Sequence, residues 1–223
     1  MRETSESLGQ RVFVSRFCAH RFLLEFYSRG GGILYRKLDI HALRGHKTKA
    51  ILESLLGRRL DSIALGDPGL LYGKLLDSMP PKRYKVGIIP HIGELTHPTF
   101  ATIAGAMRDS VLISPSDDPL RVLQTIASCE SILSSAMHGL IIADGIGIPN
   151  KRLIASDSMH KQSGKFEDYY SVYGISPQVL DVRGKDLGSY DWAEMAKGIT
   201  RDYAIPHDKV QSIKQDLLEC FPF

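Results

Sequence analysis

Along most of this chain the apolar residues fall into short continuous runs, separated by segments in which they recur at helical spacing. A short run bounded by Gly, Pro, Ser or Asp reads as a strand buried on both faces, and recurrence at i, i+3 and i+4 reads as a helix lying against it. The first regular stretch gives a strand over Asp39–Leu43, a turn at Arg44-Gly45-His46 and a helix over Lys47–Leu56 closed by Gly57. A short strand over Ser62–Leu65 follows and ends in the turn Gly66-Asp67-Pro68-Gly69. Consecutive prolines in Met79-Pro80-Pro81-Lys82 can neither continue a helix nor join a central strand, so this segment reads as a linker. Past it, strands are predicted at Tyr84–Ile89, Ser110–Ile113, Glu130–Ser134, Lys151–Ala155 and Val179–Val182. Helices are predicted between them at Thr99–Arg108, Pro119–Ser128, with Asp117 or Asp118 as its cap, and His138–Gly145.

Strict alternation of strand and helix predicts an α/β fold whose parallel sheet is covered on both faces. We expect a Rossmann-like C-terminal domain over residues 83–223 and a partial, shortened N-terminal α/β domain over residues 1–79. Met1–Gly9 is polar and reads as mobile; Val12–Tyr27 reads either as a helix or as a strand followed by a helix. Gly30-Gly31-Gly32 fits a loop better than a phosphate cradle, since neither G-x-G-x-x-G nor a following Lys-Ser/Thr is present, and Ile33–Tyr35 starts a strand. Two amphipathic segments, Trp192–Tyr203 and His207–Cys220, end the chain. The stripe Val210, Ile213, Leu217 and Leu218 in the second is expected to pack on the sheet.

Composition narrows the class without fixing it. With 43% apolar and 24% charged residues, this 223-residue chain is an ordinary globular protein, and a net charge of +3 from dispersed basic residues argues against nucleic acid as a partner. Three separated cysteines, Cys18, Cys129 and Cys220, form no C-x-x-C pair, and the eight histidines lack carboxylates at helical intervals, so no metal site is expected. No apolar run reaches the roughly 18 residues of a membrane span, and the polar amino terminus is unlike a signal peptide. The expected location is the cytoplasm, either free or docked at the inner face of the membrane.

The stretch Glu130–Asn150 carries the most chemistry. A buried strand ends in Ser134-Ser135, and His138-Gly139 opens the next helix, so hydroxyls, an imidazole and free backbone N–H groups meet at one point that suits an anion. The same residues also fit plain capping of a helix start. Other singular polar residues follow strand ends too: Arg44, Asp67, His91 and the run Ser114–Asp118. Ligands of parallel sheets bind beyond those ends, although loops gather polar residues in any case.

The segment S-S-x-x-H-G-L-I-x-A-x-x-x-G-I-P resembles the signature of the polysaccharide pyruvyl transferase family, whose members move a pyruvyl group from phosphoenolpyruvate to a sugar. Two further stretches resemble that family in the expected order: L-R-G-x-x-T-x-x-I-L followed by L-G-D-P-G-L-L, and the K-F-x-D segment at Lys165–Asp168. The resemblance covers roughly Asp39–Tyr170 and implies a GT-B-like arrangement of two α/β domains across a cleft. It departs from the family ahead of Arg44, where members carry a longer first domain opening on a glycine-rich strand and loop. This predicts a truncated or diverged N-terminal domain and puts the acceptor site in question.

As implied by the resemblance, Arg44 and His138 are the catalytic residues, and Arg44, Ser134, Ser135, His138, Gly139 and Lys165 bind the donor. Asp67, His91, Asp117 and Asp118 remain as acceptor or base candidates. No cofactor is expected beyond phosphoenolpyruvate as donor substrate; the other partner is a saccharide acceptor of exopolysaccharide biosynthesis or its lipid-linked precursor. Two rival readings are a GT-B glycosyltransferase using a nucleotide sugar and a truncated, non-catalytic anion-binding module. Hydrolase chemistry fits poorly, for there is no G-x-S-x-G.

Overall fold

The computed structural model describes residues 11–14 and 39–220. The expectations for Met1–Gly9, for most of Val12–Tyr27, for Gly30–Gly32 and for Ile33–Tyr35 lie outside them, while Arg11–Val14 forms strand β1. Strands β2 (Asp39–Leu43) and β3 (Ala64–Leu65) complete a parallel sheet of order β1-β2-β3, with the register slipping between Val12 and Val14. Helix α1 (His46–Leu56) connects β2 to β3 and ends at Gly57, whose φ of 61° suits a residue without Cβ. The predicted turn after β3 becomes a 3-10 helix over Pro68–Leu75, started by Asp67 and Pro68.

A second sheet contains β4 (Tyr84–Ile89), β5 (Ser110–Leu112), β6 (Cys129–Ser134), β7 (Asn150–Ile154) and β8 (Val179–Asp181), all parallel, in the order β5-β4-β6-β7-β8. Between them run α2 (Pro98–Ala106), α3 (Pro119–Ala127), α4 (Met137–Gly145), α5 (Asp157–His160) and α6 (Ser163–Ser171); α7 (Trp192–Arg201) and α8 (His207–Glu219) follow. Val86 and Ile88 of β4 pack with Leu133, Phe100, Ile103 and Trp192 on one face. Ile89 and Ile132 pack with Ile126 and Ala143 on the other. Two faces buried at once explain why these strands read as apolar runs rather than as alternating ones.

Asn150-Lys151-Arg152 opens β7 and is buried despite its charges, because each cation has partners. Lys151 Nζ donates to Asp202 at 3.0 Å. Arg152 donates to the Met159 carbonyl at 2.9 Å and lies 3.8 Å over the Phe166 ring.

The chain leaves β4 for β5 on one side and returns for β6 on the other. The crevice between the carboxyl ends of β4 and β6 is therefore where a doubly wound sheet opens to a ligand.

One core joins the two sheets. Ala42, Ala64 and Leu70 from the first half pack with Met137, Leu140, Ile141, Phe166 and Tyr169 and with Val210, Ile213 and Leu217 of α8. The last helix does pack on a sheet, but on the small one, beside β3, and Leu218 of the predicted stripe stays exposed. Close approach between the halves rests on small residues. A Cβ at Gly69 would stand 2.9 Å from Ile141 Cγ2, and one at Gly145 would run into the Leu70 backbone.

Candidate functional site

Arg44 is the first residue beyond β2, and its side chain is almost fully buried. Helix α1 begins on Gly45, which has no side chain to cap it. Asp168 of α6 does so from across the core: Oδ1 accepts from Thr48 N at 2.9 Å, and Oδ2 accepts from Thr48 Oγ1 at 2.6 Å and from Arg44 Nε at 3.3 Å. Any Cβ at residue 45 would collide with the Asp168 backbone, so this seat requires glycine for space. Anchored through Nε, the guanidinium keeps its buried Nη2 without a hydrogen-bond partner. A guanidinium fixed in this way, with Nη2 unused, can donate to an anion.

Asp67 stands just past β3 and is 3% exposed. Oδ1 accepts from Gly69 N at 2.9 Å, whereas Oδ2 is buried without a partner. Burial raises the pKa of Asp67; the Gly69 N–H and the nearby charges of His138 and Arg44 pull it back. The residues singled out in the two halves of the sequence thus share one electrostatic neighbourhood.

His138 is exposed in the first turn of α4. Ala136 precedes this helix and gives no side-chain cap, so the first-turn N–H groups keep their capacity for an anion. Gly139 lets the helix start approach the sheet: a Cβ there would meet Ser134 Oγ at 2.8 Å and Ile89 Cδ1 at 2.9 Å.

Ser134 and Ser135, expected to bind the donor, have their hydroxyls engaged inside the protein. Ser134 Oγ lies within bonding distance of the Ile89 and Ala136 carbonyls and accepts from Ala136 N. Ser135 Oγ accepts from His91 N at 2.8 Å and donates to Glu94 Oε2 at 2.6 Å. Through these bonds both serines shape the loop between β6 and α4.

Glu94 is buried, and its other oxygen accepts from Ser156 Oγ at 2.5 Å. One carboxylate thereby ties together the segments that follow β4, β6 and β7. Nothing in Pro-His-Ile-Gly-Glu-Leu singled it out in the sequence. Asp168 was at least flagged as the last residue of a quoted segment, but not for its grip on Arg44.

His91 is half-buried beside this network. Its pKa is lowered by burial and by the charges of Lys165 and His138, against the opposing pull of Glu94. Lys165 of α6 donates to Gln162 Oε1 at 2.7 Å and sits 5.4 Å from the Phe166 ring centroid. Arg44, Asp67, His91, His138 and Lys165 are thereby linked electrostatically, with His138 acting on both Asp67 and His91. Asp118 instead caps α3 by accepting from Arg121 N at 3.0 Å, and its neighbour Asp117 is exposed. The spacing of the sequence could not separate such a capping aspartate from a chemical one.

Among the described residues, no group of three or more His, Cys, Asp and Glu side chains is placed to hold a metal ion, and no helix is long and apolar enough to cross a membrane. A cleft of about 370 Å³ lined by Leu75, Pro80, Arg83 and Leu120 lies along the linker and includes none of the electrostatically linked residues.

An uncharacterised protein of Acanthamoeba polyphaga mimivirus is 32% identical to this chain over 142 residues, which are 61% of this chain and 49% of that protein. The chain thus spans about half the length of the curated relative it matches. Residues 19–150 match the model of a family described as polysaccharide pyruvyl transferase, a span that holds Arg44, Asp67, His91 and His138. With more than half of its residues in that match, the chain belongs to the polysaccharide pyruvyl transferase family.

Proposed function

We propose that this chain transfers a pyruvyl group from phosphoenolpyruvate to two hydroxyls of a cell-surface saccharide or its precursor. The reaction would take place in a GT-B-like cleft between an N-terminal α/β unit, residues 1–79, and a Rossmann-like unit, residues 83–223. The observation that carries this reading is the buried Arg44, fixed through Nε by Asp168, with Nη2 unpaired in the neighbourhood of Asp67 and His138. A donor with both a carboxylate and a phosphate matches one forked cation plus a helix start lacking a side-chain cap.

In this reading Arg44 holds one anionic group of the donor by parallel hydrogen bonds. His138 gives a proton to the methylene carbon, making the adjacent carbon electrophilic. The first sugar hydroxyl adds there and releases its proton. The carbon–oxygen bond to phosphate then breaks, the second hydroxyl adds, and its proton is released as well. Of the two protons lost, one replaces that spent on the methylene and the other is taken up by phosphate. Lys165 contributes charge near the phosphate, the first-turn N–H groups of α4 stabilise it as it leaves, and Asp67 is the carboxylate positioned to influence protons beside His138. The reading needs no cofactor besides the donor, and places the protein in the cytoplasm, free or peripheral to the membrane that carries a lipid-linked acceptor.

The test is phosphate release from phosphoenolpyruvate over a panel of galactosyl, mannosyl and N-acetylmannosaminyl acceptors, run beside calorimetry with phosphoenolpyruvate and with nucleoside diphosphates. We expect release with at least one acceptor. Arg44→Ala should lower it at least roughly a hundredfold, the scale seen when a preorganised charge-stabilising group is removed, and His138→Ala by a similar factor. Donor binding without release from the folded protein would reduce the chain to an anion-binding module; tight nucleotide binding without donor binding would favour the glycosyltransferase reading.

A further inference from the structure

His91 was a base candidate on sequence grounds, but its hydrogen bonding gives it a different part. Its Nδ1 accepts from Gly93 N at 3.1 Å. A backbone amide nitrogen can only donate, so Nδ1 must present its lone pair, and the neutral ring carries its proton on Nε2. Taking up a second proton would break that bond and leave the Gly93 N–H facing another N–H.

The backbone around the ring is equally constrained. His91 N donates to Ser135 Oγ at 2.8 Å, the His91 carbonyl accepts from Glu94 N at 2.7 Å, and Ser135 in turn donates to Glu94. Burial lowers the pKa of the ring, Lys165 from α6 and His138 from α4 lower it further, and Glu94 on its own turn opposes them.

We propose that His91 is an uncharged hydrogen-bond donor in this site, presenting Nε2–H to a phosphate oxygen of the anionic donor and taking no proton from the acceptor. This rests on the phosphoenolpyruvate reading above. A neutral donor suits the position. It stabilises the departing phosphate without adding a second acid that would compete to protonate it while His138 serves the methylene carbon. It also removes His91 from the candidate bases.

The experiment uses the full chain with 15N-labelled histidine. Long-range 1H–15N spectra between about pH 5 and pH 8, a span that brackets the ordinary imidazole transition, report which nitrogen carries the proton, and the signal missing in His91→Gln assigns the ring. We expect a bare Nδ1 and a protonated Nε2 throughout the neutral range. In calorimetry with phosphoenolpyruvate, His91→Leu should weaken binding roughly tenfold to a hundredfold, the scale of one hydrogen bond to a charged group. His91→Gln keeps an N–H at similar reach and should recover most of the affinity.

A ring doubly protonated at neutral pH, or a proton found on Nδ1, overturns the proposal. So does binding unchanged in His91→Leu while Arg44→Ala loses it, an outcome that leaves the donor reading standing. Absence of phosphoenolpyruvate binding in the folded wild-type chain overturns both, whatever the spectra give for the tautomer.

Discussion

Two buried polar clusters share helices α4 and α6, and they are built to opposite rules. Behind α4, the Asp144 carboxylate is fully occupied: Oδ1 accepts from Asn150 Nδ2 at 2.5 Å and from Tyr203 OH at 2.9 Å, and Oδ2 accepts from Tyr169 OH at 2.8 Å. Tyr173 OH stands 3.1 Å from Tyr169 OH and extends the chain, and Asn150 Oδ1 is left over. Beside α1, the other cluster has Arg44 held by Asp168, yet retains two unpaired buried atoms of opposite charge, Arg44 Nη2 and Asp67 Oδ2.

Natural proteins pair nearly all their buried polar groups, because an unmade hydrogen bond costs about 1–3 kcal/mol. The tyrosine cluster follows that rule for its carboxylate and belongs to the scaffold. The arginine cluster departs from it on both sides of one small region, and the unused capacity is what a bound anion and its reacting partner would satisfy. Asp168 and Tyr169 are adjacent in sequence yet serve different clusters, since successive helical side chains point about 100° apart.

The comparison breaks most sharply at Asp168. Removing it leaves a buried guanidinium without its counterion and strips the cap from α1. We expect Asp168→Ala to destabilise the fold by about 3–5 kcal/mol in urea unfolding; a loss below about 1 kcal/mol would mean that Arg44 finds another partner and that the ion pair is not what fixes it.

At Asp144 the same kind of change should act in the other direction. Burial raises the Asp144 pKa to about 7, although Asn150, Tyr169 and Tyr203 all favour its ionised form. Unfolded, the group titrates near 3.8. Between those values the native protein binds the proton that the unfolded chain has released, so stability from this group falls as pH rises from about 4 to about 7 and is gone above that. Asn mimics the neutral carboxyl. Asp144→Asn should therefore match wild type at about pH 4 and exceed it by up to about 4 kcal/mol at pH 8, a shift of about three pKa units at 1.36 kcal/mol each. Denaturant melts across that range would show it, and equal stability at both ends would mean that Asp144 is ionised in the native protein at little cost.

The smallest effect separates a buried charge pair from an exposed one. Lys47 and Glu167 join α1 to α6 close in sequence to the Arg44–Asp168 pair, but at the surface. Lys47→Ala should change unfolding free energy by less than about 1 kcal/mol and leave donor binding unaltered; a loss comparable to that of Asp168→Ala would show that the latch between α1 and α6 depends on surface charge.

Much of the fold was written locally. The limits of β2 and β4 were legible to the residue, and those of β6 and β7 to within one; for β4 and β6 the signal is an apolar run cut off by Pro or Ser. The linker at Pro80-Pro81 carries no regular structure, as two prolines dictate. Arg44, Asp67, His91 and His138 could be picked out as polar residues following strand ends. Asp118 satisfied the same pattern and caps a helix, since a strand end supplies the same residue types to a turn and to a site.

What this sequence determined alone is the order and kind of its elements, and so the end of the sheet at which polar side chains gather. Periodicity and turn chemistry act over a few residues, and those few are present in the string. Only the tertiary structure decided that α8 returns to the small sheet, that Asp168 reaches across 124 positions to hold Arg44, and that Glu94 binds Ser135 and Ser156. Such pairings depend on which distant surfaces bury each other, a balance struck over the whole chain that no local spacing records.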